Sequence, residues 1–430
     1  MNKRRIIQVE ERLPLAQMIP LSIQHVFAMF GASVLVPILF GINSGIVLLL
    51  NGVGTLLFIF LTKGKAPAYL GSSFAFLAPA GIVIAEKGFE YAQGGFVVVG
   101  LLGCVVALIV WKFGTEWIDI VLPPAAMGPV VALIGLELAA NTVKGGAIGA
   151  DIMTVNPAGG LMISPTMETG DLLVFGITLG VAVFGSVLFR GFFSVIPLLI
   201  AMICGYATAC AVGVVDFTPL QNVSLFTVPD FHLAKFDLQS ILIMCPVLLV
   251  IVSEHIGHQV VTGKIVGRDL IRDPGLHRSL LGDNLSSAIS GLVGSVPTTT
   301  YGENIGVMAV TGVYSVWVIG GAAVFSILMA VVGPLSAFIA TIPGDVIGGI
   351  TFLLYGMIGT SGLRILVDQK VDYSKNRNLI LTSVVFVAGL SGLTVSFSTV
   401  TISGMTLAAV TAMIVSLIFH LLDKAGLMND

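Results

Sequence analysis

Charge is scarce in this chain. Charged residues make up 10% of it against 56% hydrophobic, and 20 Lys and Arg nearly balance 23 Asp and Glu. A surface so poor in charge cannot solvate a core in water, which excludes an ordinary soluble domain. A balance near zero offers nothing to a nucleic-acid backbone. Cysteine is as sparse: Cys104, Cys204, Cys210 and Cys245 lie in apolar segments without metal-ligand spacing. They read as buried thiols rather than a disulfide framework. There is no nucleophile–base set and no metal cluster, so a membrane enzyme lacks its chemistry.

Long apolar runs take the place of charge. A hydrocarbon core of roughly 30 Å needs a helix of about 20 apolar residues. Runs approaching that length, such as Leu172 to Leu188 and Val195 to Val212, recur along the chain. With Gly, Pro and charge as punctuation, the pattern predicts fourteen crossings, centred near residues 24, 52, 77, 103, 132, 180, 203, 250, 288, 308, 325, 353, 386 and 412. The opening "MNKRR" precedes a charged stretch with no cleavage site, so it is expected to be a retained cytoplasmic tail. With the N-terminus inside, Lys3, Arg4, Arg5 and the loop clusters around Lys63, Arg268 and Lys375 all face the cytoplasm. Only Lys87, Lys144 and Lys235 fall outside, as the positive-inside rule asks.

The two halves repeat faintly. "QHVFA" at Gln24 faces "EHIGH" at Glu254, "YLGSSFAF" faces "TTTYGENIG", and "PPAAMGPVVALIG" from Pro123 faces "PGDVIGGITFLLY" from Pro343. Seven spans per copy is an odd number, so the second copy enters the membrane upside down, a secondary-transporter architecture. The fold class expected is therefore an all-α polytopic membrane protein with fourteen spans in a 7+7 inverted repeat. Spans 3 and 10, residues 66–85 and 295–313, are broken by Pro67, Gly71, Pro79, Pro297, Gly302 and Gly306. Each is predicted to be a short strand followed by a half-helix, the two strands pairing antiparallel. Irregular backbone at that depth is tolerated where protein covers it or it lines a cavity.

Acidic residues inside the predicted spans are Glu137, Glu254, Glu303 and, nearer an end, Asp345. Glu254 and His258 are four apart and share a helix face. Glu303 follows Gly302 at the start of a half-helix, where free N–H groups gather. With Phe74 of span 3 these residues are expected at one central site. Carboxylates accept hydrogen bonds and the N–H groups donate them, which suits a small neutral heterocycle carrying both N–H and C=O. A buried carboxylate beside a helix dipole is also a candidate proton carrier. The competing reading of Glu254 with His258 is a structural pair. A metal site from Glu254, His255 and His258 is disfavoured because His255 points to another face. Tyr301 is open between strand packing and ligand contact, Glu137 reads as structural, and His25, His232, His277 and His420 form no constellation.

At these residues the chain closely resembles the nucleobase-ascorbate transporter family over almost its full length. The segments that carry the likeness are "SIQHVFAMFGASVLVP", "PAYLGSSFAF", "PPAAMG", "SEHIGH", "DPGLHRS" and "TTTYGENIGVMAVTG". The last holds the family signature at Glu303, Asn304, Gly306, Thr311 and Gly312. Reading Glu-Asn-Ile-Gly rather than Gln-Asn-Asn-Gly, it follows the uracil branch. The resemblance implies a core domain of residues 14–115 and 239–337 and a gate domain of 116–238 and 338–423. It implies uracil bound near the midplane by Phe74, Glu254, Tyr301, Gly302 and Glu303, with His258, Glu303 and Tyr355 near the coupling proton. It further implies proton symport with no other cofactor, a homodimer through the gate domain and contact with membrane lipid. The location implied is a bacterial cytoplasmic (inner) membrane with both termini cytoplasmic. The alternatives are a purine or xanthine permease of the same family and an anion transporter of similar fold. Asp345 departs from the family pattern.

Overall fold

Apolar runs without water must satisfy their backbone internally, and helices carry most of the chain. The computed structural model describes residues 6–143, 153–155, 161–163, 169–221, 223–397 and 400–428. Lys3, Arg4, Arg5 and Lys144 lie outside them. The first half runs α1 (Leu15–Phe40), α2 (Ser44–Leu61), β1 (Leu70–Ser72), α3 (Leu77–Lys87), α4 (Phe89–Phe113), α5 (Glu116–Val121), α6 (Pro124–Val143), β2 (Met153–Val155), β3 (Leu161–Ile163), α7 (Thr169–Leu188) and α8 (Pro197–Val212). The second runs α9 (Leu238–Met244), α10 (Val247–Val266), α11 (Leu276–Leu292), β4 (Thr298–Thr300), α12 (Gly302–Thr311), α13 (Val316–Ala330), α14 (Gly333–Ala340), α15 (Gly344–Asp368), α16 (Asn376–Leu390), β5 (Thr394–Phe397), β6 (Val400–Ser403) and α17 (Gly404–Lys424).

Among the described residues seven helical segments are long and apolar enough to cross a membrane: α1, α2, α4, α7, α9 with α10, α15 and α17. Shorter apolar helices lie in α6, α8, α13 and α16. The expected centres at 77 and 308 fall in the short helices α3 and α12, which follow β1 and β4.

Strands β1 and β4 pair antiparallel, Leu70 opposite Thr300 and Ser72 opposite Thr298. Two further ribbons, β2 with β3 and β5 with β6, were not expected. The β5–β6 stretch carries Thr394, Val395, Val400, Thr401 and Ile402, a β-branched run that favours extended backbone.

Helix α4 packs on α11, α2 on both α11 and α13, and α1 on α13, while α6 packs on α15, α7 on α8 and α15, and α16 on α6 and α17. Small residues let these backbones approach. A Cβ on Gly103 of α4 would lie 1.9 Å from Asn284 Oδ1 of α11.

The tail ahead of α1 is strapped to the protein rather than loose. Ile7 N–H donates to Gly312 O at 2.9 Å, Tyr314 N–H to Ile7 O at 2.8 Å and Val316 N–H to Val9 O at 2.9 Å. Glu10 closes the strap with a two-pronged ion pair to Arg268, in the turn after α10.

Candidate functional site

A two-stranded ribbon buried among helices has two outer edges whose polar groups need partners. On β1 the seal is Thr55 of α2, whose hydroxyl accepts from Leu70 N–H at 2.9 Å. On β4 it is Ser287 of α11, which accepts from Thr298 N–H at 3.0 Å and donates to Thr298 O at 2.7 Å. One turn earlier on α11, Asp283 faces the Thr300 N–H. Side chains from a helix thus stand in for a third strand on each side.

The ribbon delivers two helix starts. After β1 the chain makes a 3-10 turn, Phe74–Phe76, leading into α3; after β4 it enters α12 at Gly302. The flanking residues Ser73 and Tyr301 make no side-chain cap to either start, so the first N–H groups of each have no intrahelical or capping partner. Gly302 is exposed, and a Cβ there would meet only His258 Nε2, at 3.7 Å. That start is open to an approaching ligand.

Helix α10 packs against β4, α12 and the Phe74 turn together. It brings Glu254 close enough to Glu303 for their charges to interact. His258, one turn on, bonds through Nδ1 to Thr300 Oγ1 at 3.0 Å. Phe74, Glu254, His258, Gly302 and Glu303 are therefore gathered around one helix. Phe74 is half-buried where three apolar clusters meet, one of which holds Tyr355 of α15. His255 points the other way, to Asp283 of α11 and Phe58 of α2, and among the described residues no group of His, Cys, Asp and Glu could hold a metal.

Tyr301 lies across the ribbon. Its hydroxyl donates to Ser72 O at 3.2 Å, and a Cβ on Gly71 would sit 2.2 Å from its ring. The tyrosine side chain packs the strands, and its N–H is taken by Tyr69 O at 2.9 Å. Glu137 stands apart from this cluster: its carboxylate accepts from Met405 N–H at 2.7 Å at the start of α17, where a helix N-terminus favours an anion. Asp345 occupies the first turn of α15, a similar position.

Two groups escaped the sequence reading. Asp283 is a fifth acidic residue inside the predicted spans; its setting, "LGDNLSS", is polar enough to resemble a loop. His25 does belong to a constellation: Asn304 Nδ2 donates to His25 O at 3.0 Å and lies 3.1 Å from its Nδ1, tying α12 to α1. The facing of "QHVFA" and "EHIGH" was the available signal.

Comparison with known proteins adds the following. The sequence model of the Permease family matches residues 16–398. The chain is 52% identical over 420 residues to a uracil permease of Escherichia coli strain K12, covering 98% of this chain and 95% of that one. It is 52% identical over 428 residues to a uracil permease of Paenibacillus larvae, covering 100% of both. Among solved structures it resembles the transmembrane domain of a cyanobacterial bicarbonate transporter, BicA, with a TM-score of 0.62 at 14% identity, covering 96% of this chain and all of that one. That likeness speaks to fold alone.

Proposed function

The chain belongs to the Permease family, among the bacterial uracil permeases of the nucleobase-ascorbate transporters, and from that membership we propose that it imports uracil together with protons. It is a transporter, not an enzyme, and a multi-pass membrane protein. The observation that carries the reading is the gathering of Glu254 and Glu303 beside the open helix starts at Phe74 and Gly302. Uracil alternates N–H and C=O around its edge. Carboxylates at 254 and 303 take its N–H groups, and backbone N–H groups at Phe74 and Gly302 meet its carbonyls. A small anion would meet two carboxylates there. In this reading His258, held by Thr300, and Glu303 sit on the proton side, Tyr355 approaches from the gate, and Tyr301 serves the site through the strands it locks.

The fourteen-span inverted repeat draws support from the packing. Numbering the expected spans in order, moving each of the principal packed helix pairs given above seven places gives another packed pair. Helix α4 on α11 becomes α13 on α2, α7 on α8 becomes α16 on α17, α6 on α16 becomes α15 on α7, and β1 on β4 maps onto itself. We assign residues 14–115 and 239–337 to a core and 116–238 and 338–423 to a gate, with uracil between them, a reading the same pairs support. Both termini face the cytoplasm of a bacterial inner membrane, and the gate domains pair two copies.

The test is labelled uracil uptake into proteoliposomes under an imposed pH gradient. Accumulation should follow an inward proton gradient and be competed by uracil far better than by xanthine. Uptake that ignores a collapsed gradient would point to a passive channel, and equal competition by xanthine to a purine permease.

A further inference from the structure

Helix α10 carries a second polar face that the uracil site does not use. His255, Gln259 and Thr262 recur at helical spacing and are at most 1% exposed. Opposite them, Asp283 of α11 lies with Oδ2 3.6 Å from His255 Nδ1. Both ring nitrogens of His255, together with Gln259 Oε1, Thr262 Oγ1 and Asp283 Oδ1, are buried without a hydrogen-bond partner. One such atom is costly, and five along one seam need an explanation. Buried polar groups of this kind hold water, which can pass protons along.

The seam begins beside Glu254 of the candidate site. Asp283 is near enough to Glu254 for their charges to interact, and it touches the site a second time through Thr300, whose hydroxyl meets His258. The titratable groups that face Asp283 are His255 and Glu254 from α10 and Cys104 from α4. His258 acts on His255 from its own helix, and Phe58 of α2 lies edge-on to that ring. The seam ends at Thr262 in the last turns of α10, beside the basic turn that holds Arg268 and Arg272.

We propose that His255, Gln259 and Thr262 of α10, with Asp283 of α11, form a proton path from the ligand carboxylates to the cytoplasm, separate from the path uracil takes. This rests on the proton-symport reading above. A proton leaving the Glu254 carboxyl passes to the Asp283 carboxylate and then to His255 Nδ1. The imidazolium releases the proton on Nε2 to water held by Gln259 and Thr262. Each hop breaks one O–H or N–H bond and forms the next, and nothing is oxidised or reduced.

The experiment compares wild type with Gln259→Leu and Thr262→Val in proteoliposomes, measuring uracil exchange without a gradient and net uptake driven by a pH gradient. Exchange lets the proton stay bound and should remain within about twofold of wild type, while gradient-driven uptake should fall by about tenfold or more. Unchanged gradient-driven uptake in both variants overturns the path. So does an equal fall in exchange and uptake, which marks a structural role. Failure of the symport reading itself appears separately, as wild-type uptake indifferent to the gradient.

Discussion

The two broken segments, β1 with the Phe74 turn and α3, and β4 with α12, share a backbone and differ in chemistry. Each is a three-residue strand with its outer edge sealed by a helix hydroxyl, followed by a helix start without a side-chain cap. The first copy surrounds its helix start with Phe74, Thr55 and Ser72; the second surrounds its own with Glu303, His258 and Asp283. Across the repeat, Glu254 faces Gln24. Both copies therefore offer donors, and only the second offers carboxylates. The proposed inverted repeat makes the scaffold symmetric, while the ligand and the proton proposed for it need asymmetric side chains.

The largest effect should come from that asymmetry. Glu254→Ala or Glu303→Ala strands an N–H of the ligand without an acceptor and should weaken uracil binding by about a hundredfold, the upper end for loss of one charge-assisted bond. Phe74→Ala leaves its backbone N–H in place and should cost about tenfold or less, from lost packing. Equilibrium binding of labelled uracil to purified protein measures both. Equal losses for Phe74→Ala and Glu303→Ala would sink the division into donor and acceptor copies.

A smaller contrast lies in two glycines. At Gly71 a methyl group would enter the Tyr301 ring, with three ring atoms within 2.6 Å. At Gly302 it would meet nothing closer than 3.7 Å. Gly71→Ala should therefore lower thermal stability by about 1–3 kcal/mol as an overpacked core does. Gly302→Ala should melt like wild type yet bind uracil more weakly, because the added carbon stands in front of the N–H groups. Melting and binding measured on the same two variants separate a glycine that holds the ribbon from one that faces the ligand.

The broken spans were legible because Pro, Gly and hydroxyl residues interrupt apolar runs over short windows, and Glu254, His258 and Glu303 stood out because charge is expensive at that depth. What sequence could not give were partners far along the chain. Glu137 caps α17 through the N–H of Met405, 268 residues away. Thr55 and Ser287 are ordinary hydroxyls until β1 and β4 lie beside them. Asp283 sits in a polar stretch that passes for a loop, although α11 is buried on nearly every side. The tail before α1 reads only as a retained cytoplasmic segment, yet Ile7 and Val9 are buried in it, an alternation of apolar and polar residues too short to weigh.

The smallest effect concerns how the far ends of the two half-helices are held. The α12 end is fastened by backbone bonds from Ile7, which do not titrate, alongside the Glu10–Arg268 pair. The α3 end depends on Lys87, whose ammonium lies 2.5 Å from Asp237 Oδ2. That lysine, helped by the Ser240 N–H and hydroxyl at the start of α9, pushes the Asp237 carboxyl down to about 2. A carboxyl depressed on folding stabilises the folded state above its unfolded value of about 4, and that contribution is lost as pH falls through about 2. Asp237→Asn should accordingly flatten the acid limb of thermal stability between about pH 4 and pH 2 and leave uracil binding at neutral pH unchanged. Melting temperature against pH for the two proteins reads this out, and identical acid limbs would show that the α3 end is held by its packing on α4 and α9 instead.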